Sequence, residues 1–278
     1  VRGGSSIGVS AGHIAFNVDT FSAADSQIVA NGGFNGATGG PVTIQGLQGS
    51  GDFAHAVSLA NTVVDTGSGF AVNSVVGGGP ILSRADNIAL NQSRLTTFSA
   101  ENAGGPITLV STGSLDIHNS SLIASATFGS GGTIDLKAGA GIDISGTTIR
   151  AVSRFFSGGN INVSSPFVSI SGSTLNVSAE GIFPGGTISL TGTKAVSLTN
   201  GTVISADNLW NRPGAPTTNA IGGTILINGG LFTSEQSTIS AQSILGNGGT
   251  IQIGAKTIGL TDTQVTTSVS GGPQSVGG

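Results

Sequence analysis

Two aspartates carry the first chemical question. Asp116 and Asp143 each stand between aliphatic residues, in Leu115-Asp116-Ile117 and Ile142-Asp143-Ile144. Carboxylates about 5 Å apart have the spacing of the acid and nucleophile in a retaining glycosidase. The same oxygens suit a calcium ion, or they form a plain solvated face. The equivalent places in the next repeats hold Ser169 and Ser197, which add no further acid or base. Arg150 lies nearby in sequence and reads as a solubilising residue. His13, His55 and His118 fall far apart in repeat order, so a joint metal site is not expected. The chain has no Cys, which removes thiolate nucleophiles, disulfides and Cys-ligated metals. It has no Gly-Lys-Ser/Thr phosphate loop, and the G-x-S-x-G elbow needs a strand-to-helix turn in a chain without helix patterns.

Two irregular stretches hold the remaining candidates. Residues 45–56, QGLQGSGDFAHA, carry Asp52, Phe53 and His55. Residues 207–221, DNLWNRPGAPTTNAI, carry the one Trp, Trp210, beside Arg212. Loops on a rigid scaffold often supply specificity, and Trp and Arg are common contact anchors. The alternative is that the second loop folds back over a sheet. Phe34, Phe128, Phe155, Phe156 and Phe183 also fall late in their repeats, as Trp210 does. A stacked Phe column inside the fold explains them; an exposed strip for a glycan or partner is the alternative.

The elements that must position these residues follow from a repeat. Gly-Gly pairs begin at 39, 78, 104, 131, 158, 185, 222 and 248, with Ala11-Gly12 one step earlier and Gly277-Gly278 one step later. Most spacings are 26 or 27 residues, and two copies carry about ten more. After each pair comes an alternating segment such as Ile107-Thr108-Leu109 or Ile134-Asp135-Leu136. A second follows, as in Leu115 and Ile117, and then a third strand start at Leu122, Ile149, Leu175, Val203, Ile239 and Val265. Period-two alternation means strand. Gly, Asn, Ser and Asp punctuate the segments as turns require. Strands this short bury a face only by stacking repeat on repeat. The expected fold is all-β: a right-handed parallel β-helix, or β-solenoid, of about nine rungs of three short strands. On a rung spacing of ~4.8 Å this is a rod of roughly 40–45 Å. The whole of 1–278 reads as one segment, with residues 1–10 ending a preceding rung. Glycine suits these corners because it tolerates both φ > 0 and close backbone approach.

Composition agrees. Of 278 residues, 48 are Gly and only 8% are charged, against roughly 25% charged in ordinary domains. The 37% hydrophobic content supplies a core that disordered chains lack. Glycine shows no three-residue period, which excludes collagen. The net charge of −4 argues against a nucleic-acid partner. No apolar run approaches the ~18 residues of a membrane helix.

The unit GGTIDLKAGAGIDISGTTIRA and its neighbour GGTISLTGTKAVSLTNGTVISA resemble the repeats of two-partner-secretion exoproteins, the filamentous-haemagglutinin-like surface proteins of bacteria. The likeness runs from about Ala11 to Val276. It implies a fibrous β-helix that is secreted to the extracellular, bacterial cell surface through an outer-membrane export partner, with roles in adhesion, aggregation or biofilm. The Asn-Pro-Asn-type motifs of that family's secretion domain are not found here. The expected function is therefore a non-enzymatic structural or adhesive shaft segment, continued by more chain or self-associated end to end. Expected cofactors are none beyond adventitious calcium at Asp116 and Asp143. The alternatives are a carbohydrate-active β-helix enzyme using those two aspartates, and a glycan-binding module.

Overall fold

The computed structural model describes residues 5–8, 12–32, 38–47, 53–68, 77–211, 220–270 and 276–278. Among these residues there is no helix, and all strand pairing is parallel. The chain is a parallel β-helix. Eight turns separate the glycine corner at Gly39-Gly40 from the one at Gly277-Gly278, and a further coil through Ile14–Asn17, Thr20–Ala24 and Gln27–Val29 precedes them.

One coil shows the plan. Ile107–Ser111 is the first strand, Ser114–His118 the second and Ser121–Ile123 the third. Ala126 then makes a single bridge before the corner at Gly131-Gly132. The alternating residues Ile107, Leu109, Leu115, Ile117 and Leu122 all point inward and are buried. Identical stations pair from coil to coil. The third-strand column runs Ile7, Ile28, Val64, Leu95, Leu122, Ile149, Leu175, Ile204, Ile239 and Val265. These ten residues stand in one ten-stranded sheet.

The structure corrects three expectations. Val203 is not the inward residue of its strand; Ile204 is, because Asn200 and Gly201 lengthen the preceding turn and displace the register by one. The first two strands are not always separate. In five coils they fuse into one strand, as in Asn160–Ser171 and Thr187–Thr199. Small residues at the bend, among them Ala85, Ser165, Gly192 and Gly229, let the backbone turn without leaving the ladder, with register shifts at Ser165/Phe167 and Gly192/Ala195.

The third correction concerns the glycines, whose corners use the expected close backbone approach but not the expected φ > 0. Positive φ is found at the turn between the second and third strands, not at the Gly-Gly corners. Asp25, Asn61, Gln92, Asn119, Gly146, Gly172, Asn200, Gln236 and Asp262 adopt it, all with φ between 46° and 56°. The Gly-Gly corners need glycine for another reason. A Cβ on Gly105 would run into the Gly78 and Gly79 carbonyl oxygens of the coil below. The Gly105 N–H meanwhile donates to Thr97 O at 2.9 Å, closing the corner.

Next to most of these left-handed residues lies a buried hydroxyl that the sequence reading did not single out. Ser93, Ser120, Thr147 and Ser173 each donate to the carbonyl two residues back, at 2.8–2.9 Å. Each also accepts the backbone N–H of the equivalent residue in the coil below, as in Ser93 N to Ser120 Oγ at 3.1 Å and Ser120 N to Thr147 Oγ1 at 3.2 Å. The result is an internal hydroxyl ladder that satisfies amides the turn would otherwise strand. Thr147→Val keeps the shape but leaves the Ser120 N–H buried without an acceptor. A loss of about 1–3 kcal/mol is expected, read as a lower denaturant midpoint. Thr147→Ser should stay close to the parent.

Candidate functional site

Outward positions are set by the same alternation. Asp116 and Asp143 pair in register on the second-strand face, both half-buried. Their column continues through Ala89 on one side and Ser169, Ser197 and Thr233 on the other. Ser114 Oγ donates to Asp116 Oδ2 at 3.1 Å. Two positions further along, His118 and Ser145 also pair in register, with Nδ1 and Oγ 2.6 Å apart. Two coils therefore bring Asp116, His118, Asp143 and Ser145 into one square patch.

These residue types suit acid–base or acyl-transfer chemistry. The surrounding backbone does not assist it, because the strand amides there are committed to the parallel ladder. A developing oxyanion would find no preorganised N–H donor. Among the described residues no group of three His, Asp or Glu side chains is arranged to hold a metal ion.

The other candidates are dispersed. His13 Nε2 lies 3.1 Å from Thr43 Oγ1. His55 Nδ1 lies 3.5 Å from Asp86 Oδ2, with side chains 71% and 49% exposed. Such an exposed pair contributes little. Thr112 Oγ1 donates to the other Asp86 oxygen at 2.7 Å. Phe53 is half-buried just before the strand Ala54–Ala60. Asp52 and Arg212 lie outside the described residues, as does Phe34. Around the first irregular stretch, Val42 pairs with Ile81 and Ala54 with Ala85, so the extra length falls between those pairs.

Trp210 is half-buried at the start of the second irregular stretch, and its backbone N–H donates to Asn208 Oδ1 at 3.1 Å. Asn208 is itself buried, and its Nδ2 donates to Gly181 O and Phe183 O at 2.9 and 2.6 Å. Asp207 accepts from Ser205 Oγ and Gln242 N, both at 2.7 Å, and from Ser240 Oγ. This network anchors the base of the loop to three coils.

The aromatic residues overturn the expectation of an internal column. Phe128 and Phe155 stack with centroids 4.8 Å apart, and Phe156 and Phe183 with centroids 5.1 Å apart. Both spacings are close to that of adjacent strands. The rings lie outside the coil, however: Phe128, Phe155 and Phe156 are 47%, 39% and 40% exposed. The interior is already filled by the aliphatic columns, and the segment after the bridge residue runs along the outer edge. Arg154 lies over the Phe155 ring, 5.4 Å from its centroid.

Beside this ladder, on the third-strand face, is a groove of about 260 Å³. Its lining includes Ile123, Val152 and Phe98 together with Arg150, Arg154 and Glu180. Sequence reasoning missed this juxtaposition and treated Arg150 as a solubilising residue. Its signal was the alternation Thr148-Ile149-Arg150, which turns Arg150 outward on the face that precedes Arg154.

No family model matches this chain, and no curated protein matches it.

Proposed function

We propose that the chain is a non-enzymatic, structural and adhesive shaft segment of a secreted bacterial surface fibre, reached through an outer-membrane export partner. The observation that supports this reading is the uninterrupted register of the third-strand column through ten strands. Such a stack is a uniform rod whose stability is a sum of coil-on-coil interfaces. Its last described coil is also open. Ile258, Leu260 and Val265 are 48%, 49% and 40% exposed, although the residues beneath them, Phe232, Ser234 and Ile239, are buried. A parallel edge with an apolar face accepts another coil, whether a continuation of the same chain or a second copy. The resemblance of the repeat unit to filamentous surface proteins points the same way.

Electron microscopy of the purified chain at rising concentration tests the reading. Rods of constant width that lengthen with concentration are expected, and the double variant Ile258→Lys, Leu260→Lys should stop the growth. Isolated particles of about 40–45 Å at every concentration would count against stacking.

A further inference from the structure

We propose that the third-strand groove binds an acidic saccharide, with Arg150 and Arg154 gripping the carboxylate of a uronate ring. The inference stands on a different face from the open coil end and does not depend on end-to-end stacking.

The first observation is charge. Only nine residues of the chain are Lys or Arg. Two of them, both exposed, line this one groove. Neither guanidinium has an ion pair or a hydrogen bond among the described residues; Arg154 is held only by its packing on Phe155. An arginine fork matches a planar carboxylate, and the pairing strengthens beside apolar surface.

The second observation is the apolar lining. Ile123, the register partner of Arg150, and Val152, two residues further along, add aliphatic surface to the lining with Phe98. The groove touches four successive coils, from Phe98 to Glu180, which is about 14 Å on the strand spacing. The C–H face of a sugar ring packs on such a surface. Glu180 follows Ala179, the bridge partner of Ser153, so it stands one coil from Arg154, where its carboxylate can accept a sugar hydroxyl.

The third observation separates a sugar from a peptide. Ser121–Ile123 and Thr148–Arg150 are paired on both sides. The neighbouring carbonyls of Ile123, Ser125, Arg150 and Val152 accept backbone N–H groups of adjacent coils at 2.8–3.0 Å. An extended peptide would find no backbone edge to add to. A saccharide recognised through carboxylate, hydroxyl and ring face needs none. The stacked Phe128 and Phe155 cover each other's inner faces, so the ladder serves to hold Arg154 in place rather than to receive the ring.

The test is calorimetric titration of the intact chain with trigalacturonate, its methyl ester, a sulfated disaccharide and tetraglutamate. Trigalacturonate is expected to bind, and the methyl ester to bind at least about tenfold more weakly. Arg150→Gln and Arg154→Gln should each weaken trigalacturonate binding by a similar factor. Lys137→Gln, on another face, should leave it unchanged. Thermal unfolding of each variant confirms that the exposed substitutions leave the fold intact. Any one of four results overturns the proposal: no trigalacturonate binding, equal binding of the ester, binding retained in the double arginine variant, or tighter binding of the sulfated sugar or the peptide.

Discussion

Gly159→Ala is expected to destabilise the β-helix by about 3–5 kcal/mol, a cost in the exceptional range for one methyl group. The new Cβ would overlap the Gly132 carbonyl oxygen and sit 2.6 Å from the Gly131 carbonyl carbon. Both are backbone atoms of the coil below, so no side chain can rotate away. The Gly159 N–H donates to Ala151 O at 2.6 Å, which prevents the corner from swinging outward. Relief requires two coils to separate, and that opens the aliphatic columns beneath. Gly201→Ala is the matched control. Its Cβ meets nothing within 4 Å, and its φ of +75° charges only the left-handed penalty, about 1–2 kcal/mol. Denaturant unfolding of the two variants should separate them clearly. Similar losses would show that the corner depends on backbone conformation rather than on contact between coils.

The second large effect is expected at Ile149. Its strand, Thr148–Arg150, has three residues, and only the middle one points inward. Ile149 is fully buried between Leu122 and Leu175. Ile149→Ala leaves a void inside a column whose neighbours are held by their own ladders and cannot collapse into it. A loss of about 2–5 kcal/mol is expected. In a stacked array the effect should be local: amide exchange should quicken most in the coils carrying Leu122, Ile149 and Leu175, and less toward either end. Thr148→Ala, on the outward side of the same strand, should change exchange little. Uniform loss of protection along the rod would refute a nearest-neighbour stack.

These two expectations differ in how far the sequence revealed them. Ile149 was legible as a core residue from alternation alone, because a period of two admits one inward face. The Gly159 corner was legible as a corner but not in its cause. Glycine permits both left-handed backbone and close approach, and only the positions of the stacked carbonyls choose between them. Left-handed turns fell instead on Asp25, Asn61 and Gln92, whose side chains look ordinary in sequence. The buried ladder of Ser93, Ser120 and Thr147 was hidden for a similar reason. A hydroxyl among abundant surface Ser and Thr gives no sign that it points inward. One extra turn residue near Gly201 was enough to exchange Val203 for Ile204 in the core.

The candidate sites divide along the same line. The neighbourhood of Asp116 and Asp143 depends only on equal repeat length, so it was readable before any fold was seen. The groove between Phe98, Arg150 and Glu180 joins residues from four coils and two different stations of the coil, and no single repeat contains it. The aromatic residues show the limit most plainly. Their period announced a stack at about the rung spacing, and the stack is there. Whether it lay inside or outside depended on how the chain turns after the bridge residue and on how much interior the Ile, Leu and Val columns had already filled.

The amino-acid sequence by itself determined the repeat, the strand-forming segments and the aliphatic columns, because periodicity is a local property that stacking merely copies. Tertiary structure alone decided which face each corner residue took, which glycines touch backbone, and which charged side chains share a groove. Those outcomes depend on the separation between coils and on the angle at each bend, quantities that no single repeat contains.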